Sequence, residues 1–241
     1  MNLRSMIDQI LNNKKMNINY TNENEITNFR GICYGNIKYG VLYRGSHPFM
    51  KDKERDEIYS KLVSEAGINC VINMAGNSDD LEYIANMVSW YNTLLKKGNV
   101  TGLDIQFNFD FFDQFETDVF NYRLRQGFLF LITHNSPYLI HCNAGADRTG
   151  FISVVIELLF GANLNEVIYD YLLSYGKIIA DAKDDGENYL AGRNIYGQIN
   201  AVIKGKIEDS GNLQANIKKY FLEGIGLTPD ELEMLICKLS G

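Results

Sequence analysis

Residues 138–150 read Tyr-Leu-Ile-His-Cys-Asn-Ala-Gly-Ala-Asp-Arg-Thr-Gly, and this stretch holds the most reactive combination of side chains in the chain. An apolar strand runs into Cys142, five residues form a tight loop, Arg148 follows, and a helix opens at about Thr149. Successive loop N–H groups and the free donors of a helix N-terminus together make a concave anion site. Gly145 permits a backbone conformation or a close approach that a side chain would block. The dipoles that hold an oxyanion also favour a thiolate at Cys142, the nucleophilic form of that side chain. Arg148 offers a planar fork that matches two oxygens of a phosphoryl group and follows the charge as the transition state forms. Thr149 can present a hydroxyl to the sulfur as it leaves. His141 is expected to order the loop through hydrogen bonds rather than to shuttle protons. The chemistry indicated is attack of a thiolate on phosphorus, with Asn143, Ala144, Gly145, Ala146, Asp147, Arg148 and Thr149 as the phosphate cradle.

The flanking sequence supplies the elements that must position this loop. Gly31 to Arg44 reads as short strands about a Gly35-Asn36 turn, and 51–66 as a charged amphipathic helix closed by Gly67. Residues 69–74 form a buried strand, and 79–97 a second helix ended by Gly98. Ile105, Phe107 and Phe109 alternate as a strand over 104–109, and 117–133 is a third helix. A weaker helical period covers about 2–12. After Asn163 every pattern is helical, and Thr228-Pro229-Asp230-Glu231 combines an N-cap, a proline at the first helical position and a capping-box glutamate. Strands alternating with helices predict an α/β fold: a three-layer core, its central sheet mostly parallel and flanked by helices, plus a helical C-terminal region.

Composition sets the bounds. The 241 residues suit a single domain over 1–241, with an α/β core over about 28–175 and a helical extension over about 176–241 packed on it. A net charge of −7 argues against a general affinity for nucleic acid or anionic membranes. No apolar run is long enough to span a bilayer, the first residues lack the apolar core of a signal peptide, and a cytoplasmic, reduced setting is expected. Cys33, Cys70 and Cys237 are expected to be small buried apolar residues. His47 and His134 have no ligand spacing and are read as surface or loop residues.

The His-Cys-x5-Arg-Thr-Gly stretch resembles the signature of the protein tyrosine phosphatase superfamily. The Asp147-Arg148-Thr149-Gly150 form is similar to its bacterial tyrosine/dual-specificity branch, whose loop usually has lysine where this chain has Ala146. Asn28-Phe29-Arg30 and Tyr43-Arg44-Gly45-Ser46 are similar to two further elements of that branch, although Gly31 and Cys33-Tyr34 depart from its pattern. The resemblance covers 28–175. It implies a phosphocysteine intermediate on Cys142 and a carboxyl general acid. Related enzymes carry that acid about thirty residues before the cysteine, where Asp110 and Asp113 stand; the bacterial branch points instead to Asp147. It implies no cofactor and no metal, and a phosphorylated protein or a small phosphate monoester as partner.

The expected activity is hydrolysis of phosphotyrosine, with dual specificity open. A phosphoinositide or inositol phosphate substrate is disfavoured by Ala146, and a non-catalytic phosphate-binding module remains the alternative from a different class. Arg30 and Arg44 have two readings, pocket lining and buried ion pair.

Overall fold

The computed structural model describes residues 22–106, 117–175, 195–204 and 211–241. Helix α1 (Asn22–Thr27) leads into strands β1 (Arg30–Ile32) and β2 (Leu42–Gly45). Then come α2 (Lys53–Glu65), β3 (Cys70–Asn73), α3 (Ser78–Met87), α4 (Ser89–Lys96) and β4 (Val100–Gly102). Helix α5 (Asp118–Thr133), β5 (Tyr138–His141), α6 (Asp147–Leu159) and α7 (Leu164–Leu173) follow. The tail adds α8 (Ile195–Ile203), α9 (Leu213–Lys219), one π turn and α10 (Pro229–Ser240).

The five strands lie in the order β1-β2-β5-β3-β4, antiparallel only between β1 and β2. Central strands of a parallel sheet are buried on both faces, which is why β3 and β5 are continuous apolar runs. Alternation sends Cys70, Ile72, Tyr138 and Ile140 into one core with α5–α10, and Val71 and Leu139 into another with α2–α4. The α/β fold expected from the sequence is the one observed, with helices on both sheet faces.

Three elements depart from expectation. The helix over 79–97 is two helices, because Val88 is extended at φ −127°, ψ 106°. The apolar spacing of Leu81, Ile84, Val88 and Tyr91 runs unbroken through that point, so periodicity gives no warning. Residues 104–106, where the sequence suggests the start of a strand, are not in one; β4 precedes them, in register with β3 from Val71 beside Val100 to Asn73 beside Gly102. Asp104 takes a left-handed φ of +47° and stops the extended run; 107–109 lie outside the described residues, as does the helix expected over 2–12. Cys237 is exposed and Cys33 half-buried, so only Cys70 of the three is a buried small residue; all four cysteines are free.

The C-terminal helix belongs to the core of the α/β layers. Leu232, Leu235 and Leu239 enter the same apolar cluster as Ile140 and Phe151. Arg125 of α5 pairs with Glu231 at 2.8 Å, and the Lys38 N–H donates to the Leu239 carbonyl at 2.9 Å. Leu235→Ala is expected to lower unfolding free energy by about 3 kcal/mol, read from urea melts. A loss below about 0.5 kcal/mol would show the helix to be an appendage.

Candidate active site

Strands β2 and β5 run in parallel register with Gly45 beside His141, so the segments leaving their carboxyl ends meet. Clefts of open α/β sheets form at that edge. Cys142 follows β5 directly and is 2% exposed. The Gly145 N–H points back at its sulfur, N to Sγ 3.3 Å. Gly145 sits at φ +72°, and a Cβ there would stand 2.5 Å from the Gly45 carbonyl oxygen. Both the left-handed backbone and the close approach therefore require glycine.

Helix α6 opens at Asp147 with Ala146 as N-cap and no side chain capping it. Helices α3, α7 and α10 instead close with capping boxes from Asn77, Asn163 and Thr228. An N-terminus left without a side-chain acceptor, at a concave loop, is suited to an anion.

Arg148, the second residue of α6, donates from Nη1 to the Ile105 carbonyl at 2.8 Å. That bond holds the guanidinium at the rim of a cleft of about 310 Å³, lined by His47, Asn73, Ala75, Gly76, Asp80, Gln106, Asn143 and Arg148. Thr149 is fully buried, and its hydroxyl has no hydrogen-bond partner among the described residues. Asn143 and Ala144 are exposed, and Ala146 is buried. Asp147 is half-exposed, and its Oδ1 accepts from Tyr175 Oη at 2.7 Å. Asp110 and Asp113 lie outside the described residues.

His141 faces the second core, its ring against those of Tyr91 and His47. Its Nδ1 lies 3.2 Å from the Cys142 carbonyl, an acceptor, which places the proton on Nδ1. Burial, helped by the His47 ring, pushes its pKa down to about 3. A ring held neutral is an orienting group, as the sequence suggests. His47 is more than the loop residue expected: it lines the cleft, and its N–H donates to the Asn143 carbonyl at 2.8 Å.

Arg30 and Arg44 resolve as buried ion pairs, and neither lines the cleft. Both engage Asp170 of α7: Arg30 Nε meets Oδ1 at 2.7 Å, and Arg44 Nη1 meets Oδ2. Burial raises the pKa of Asp170, but the two guanidiniums outweigh it and hold the carboxyl below its usual range. Glu157 of α6 is also fully buried, and both its oxygens lack a hydrogen-bond partner among the described residues. Burial first, then repulsion by Asp170, pushes its pKa well up, which favours the uncharged form. Sequence reasoning missed Asp170 and Glu157, since a carboxylate on an apolar helix carries no mark of its partner.

A model of the tyrosine phosphatase family matches residues 24–240. The chain belongs to the tyrosine phosphatase family. The match takes in the C-terminal helices as well as the 28–175 segment that carries the motif resemblance. Family membership makes this a phosphatase, with phosphate monoesters as its substrate class. No curated protein matches the chain at a significant level.

The neutral state of His141 has a consequence for stability. Its folded pKa lies below the unfolded value of about 6.5, so the unfolded chain binds more protons between those two values. Stability is complete above about pH 6.5 and is lost as pH falls toward 3. Urea melts at pH 6 and pH 5 should show wild type losing about 1 kcal/mol more per pH unit than His141→Gln. Equal slopes would mean that the ring titrates normally.

Proposed function

We propose that this phosphatase hydrolyses phosphate monoesters through a phosphocysteine on Cys142, with phosphotyrosine as the preferred group. The observation that carries the reading is the Gly145 N–H aimed at Cys142 Sγ, in a loop that runs into the uncapped start of α6. In the first step the thiolate attacks phosphorus and forms the S–P bond while the ester P–O bond breaks. The departing oxygen takes a proton from a carboxyl group. In the second step water attacks phosphorus and gives its proton to that carboxylate. The S–P bond breaks, inorganic phosphate leaves, and the thiolate returns.

Asn143, Ala144, Gly145, Ala146, Asp147 and Thr149 supply the backbone cradle, and Arg148 the bidentate fork. The Thr149 hydroxyl, buried without a partner among the described residues, is in the right chemical state to serve the leaving sulfur. The acid is one of Asp110, Asp113 and Asp147. We take the chain as one phosphatase unit, supported by a core cluster that draws on β5, α6 and α10 alike.

The choice of phosphotyrosine rests on the cleft. Arg148 is the only Lys or Arg side chain lining it among the described residues, and Asp80 adds a carboxylate. Such a wall accepts one phosphate and an uncharged ring, and it repels the further phosphates of an inositol polyphosphate.

Two measurements test this. Wild type should turn over an aryl phosphate in reducing buffer with excess chelator, and Cys142→Ser should lose at least about 10⁴-fold. Activity that survives in the serine variant, or appears only with added metal, would rule out the phosphocysteine route. Among Asp110→Asn, Asp113→Asn and Asp147→Asn, one should fall by about 100-fold on phenyl phosphate and far less on a substrate with an acidic leaving group. Unchanged rates in all three would remove the carboxyl acid from the mechanism.

A further inference from the structure

Three successive carbonyl groups of the loop are each held by a donor from outside it. The Asn143 carbonyl accepts from the His47 N–H at 2.8 Å. The Ala144 carbonyl accepts from Asn28 Nδ2 at 3.0 Å. The Gly145 carbonyl accepts from Arg44 Nη2 at 2.8 Å. In a trans peptide the carbonyl of one residue and the N–H of the next point in opposite directions. Fixing these three oxygens outward therefore fixes the N–H groups of Ala144, Gly145 and Ala146 inward. The Gly145 N–H directed at Cys142 Sγ is the visible result.

Two of the three donors are themselves clamped. Arg44 Nη1 is held by Asp170 Oδ2, and Asn28 Oδ1 accepts from Arg30 Nη1. Arg30 in turn donates from Nε to Asp170 Oδ1 at 2.7 Å and from Nη2 to the Asp170 carbonyl at 2.7 Å. One carboxylate thus locks both side chains that orient the loop. Asn28 and Arg44 are both buried, and neither is among the residues that line the cleft.

We propose that Asn28 and Arg44, locked through Arg30 by Asp170, are positioning residues that preset the loop's N–H groups for an oxyanion. The proposal rests on the reading of this loop as the phosphate site and assigns the groups that shape it. A preset cradle binds without reorganising, so loosening one tether weakens phosphate binding and transition-state stabilisation together.

The test is the dissociation constant for inorganic phosphate, measured by calorimetry, with kcat/KM for an aryl phosphate alongside. Asn28→Gly removes the amide without a change of charge, and glycine accepts the φ of +52° found there. Arg44→Lys keeps the charge near Asp170 but loses the fork that reaches the Gly145 carbonyl as well. Each variant should weaken phosphate binding by about 10-fold or more, with kcat/KM falling in step. Leu235→Ala is the control: it loses stability far from the loop and should keep phosphate affinity within about twofold of wild type. Should Arg44→Lys fail to fold, Asn28→Gly alone decides. Wild-type affinity in Asn28→Gly, or an equal loss in Leu235→Ala, overturns the proposal, as does a wild type that binds no phosphate. Because binding is read without turnover, a protein that holds phosphate but does not hydrolyse esters sinks the phosphocysteine mechanism while this test still gives its answer.

Discussion

The arrangement at the sheet's carboxyl edge depends on one buried carboxylate. Asp170 has no exposure, and it faces Arg30 and Arg44, each almost or wholly buried. Removing three charges from water costs several kcal/mol per ion, and mutual attraction offsets that only where hydrogen bonds fill the remaining donors. Here they do. Arg30 also reaches Asn28 and the Ser174 hydroxyl, and Arg44 reaches the Gly145 carbonyl and the same hydroxyl. Such a cluster contributes little net stability compared with an apolar core of the same volume. What it contributes is definition: β1, β2, α7 and the loop after β5 cannot shift independently.

Sheet topology makes that clamp possible. Because β2 and β5 are adjacent and parallel, Arg44 near the end of β2 lies beside the loop that leaves β5. Strand β1 returns antiparallel and sets Arg30 opposite Arg44. Two guanidiniums in cross-strand register would repel one another, and like charges so placed destabilise a sheet. Asp170 from α7 resolves that conflict, and the sheet keeps a pairing it would otherwise reject.

The parts legible in the sequence are those whose cause is local. An apolar run, a glycine, an arginine and a helix start stand within thirteen residues, so the strand, loop and helix around Cys142 could be drawn from residue types alone. The last helix was equally plain, since Thr228, Pro229 and Glu231 satisfy its first N–H groups within one turn. The parts that were not legible have distant causes. Asp170 meets Arg30 across 140 residues of chain, and no pattern in either segment names the other. Val88 breaks a helix whose apolar spacing is continuous, and Asp104 ends a strand by a backbone angle that aspartate tolerates but does not announce. The doubt over Arg30 and Arg44 had the same origin, since pocket and ion pair draw on the same side chain.

Charge bears on how an acidic chain would hold the phosphate dianion of the proposed function. The protein carries −7 overall, yet the described groups around the loop have a different local balance. The two buried guanidiniums outnumber the Asp170 carboxylate, and burial favours the uncharged form of Glu157, so the balance beneath the loop leans positive. Arg148 and the uncapped end of α6 add to it from the side. Low-dielectric surroundings let this field act over the few ångströms of the cradle, while at the surface it is screened within about 10 Å. Asp80 adds a carboxylate to the lining of the same cleft. On the proposed function, a positive centre beside an acidic wall would favour a single phosphate on a neutral or cationic carrier over a ligand whose negative charge is spread along its length.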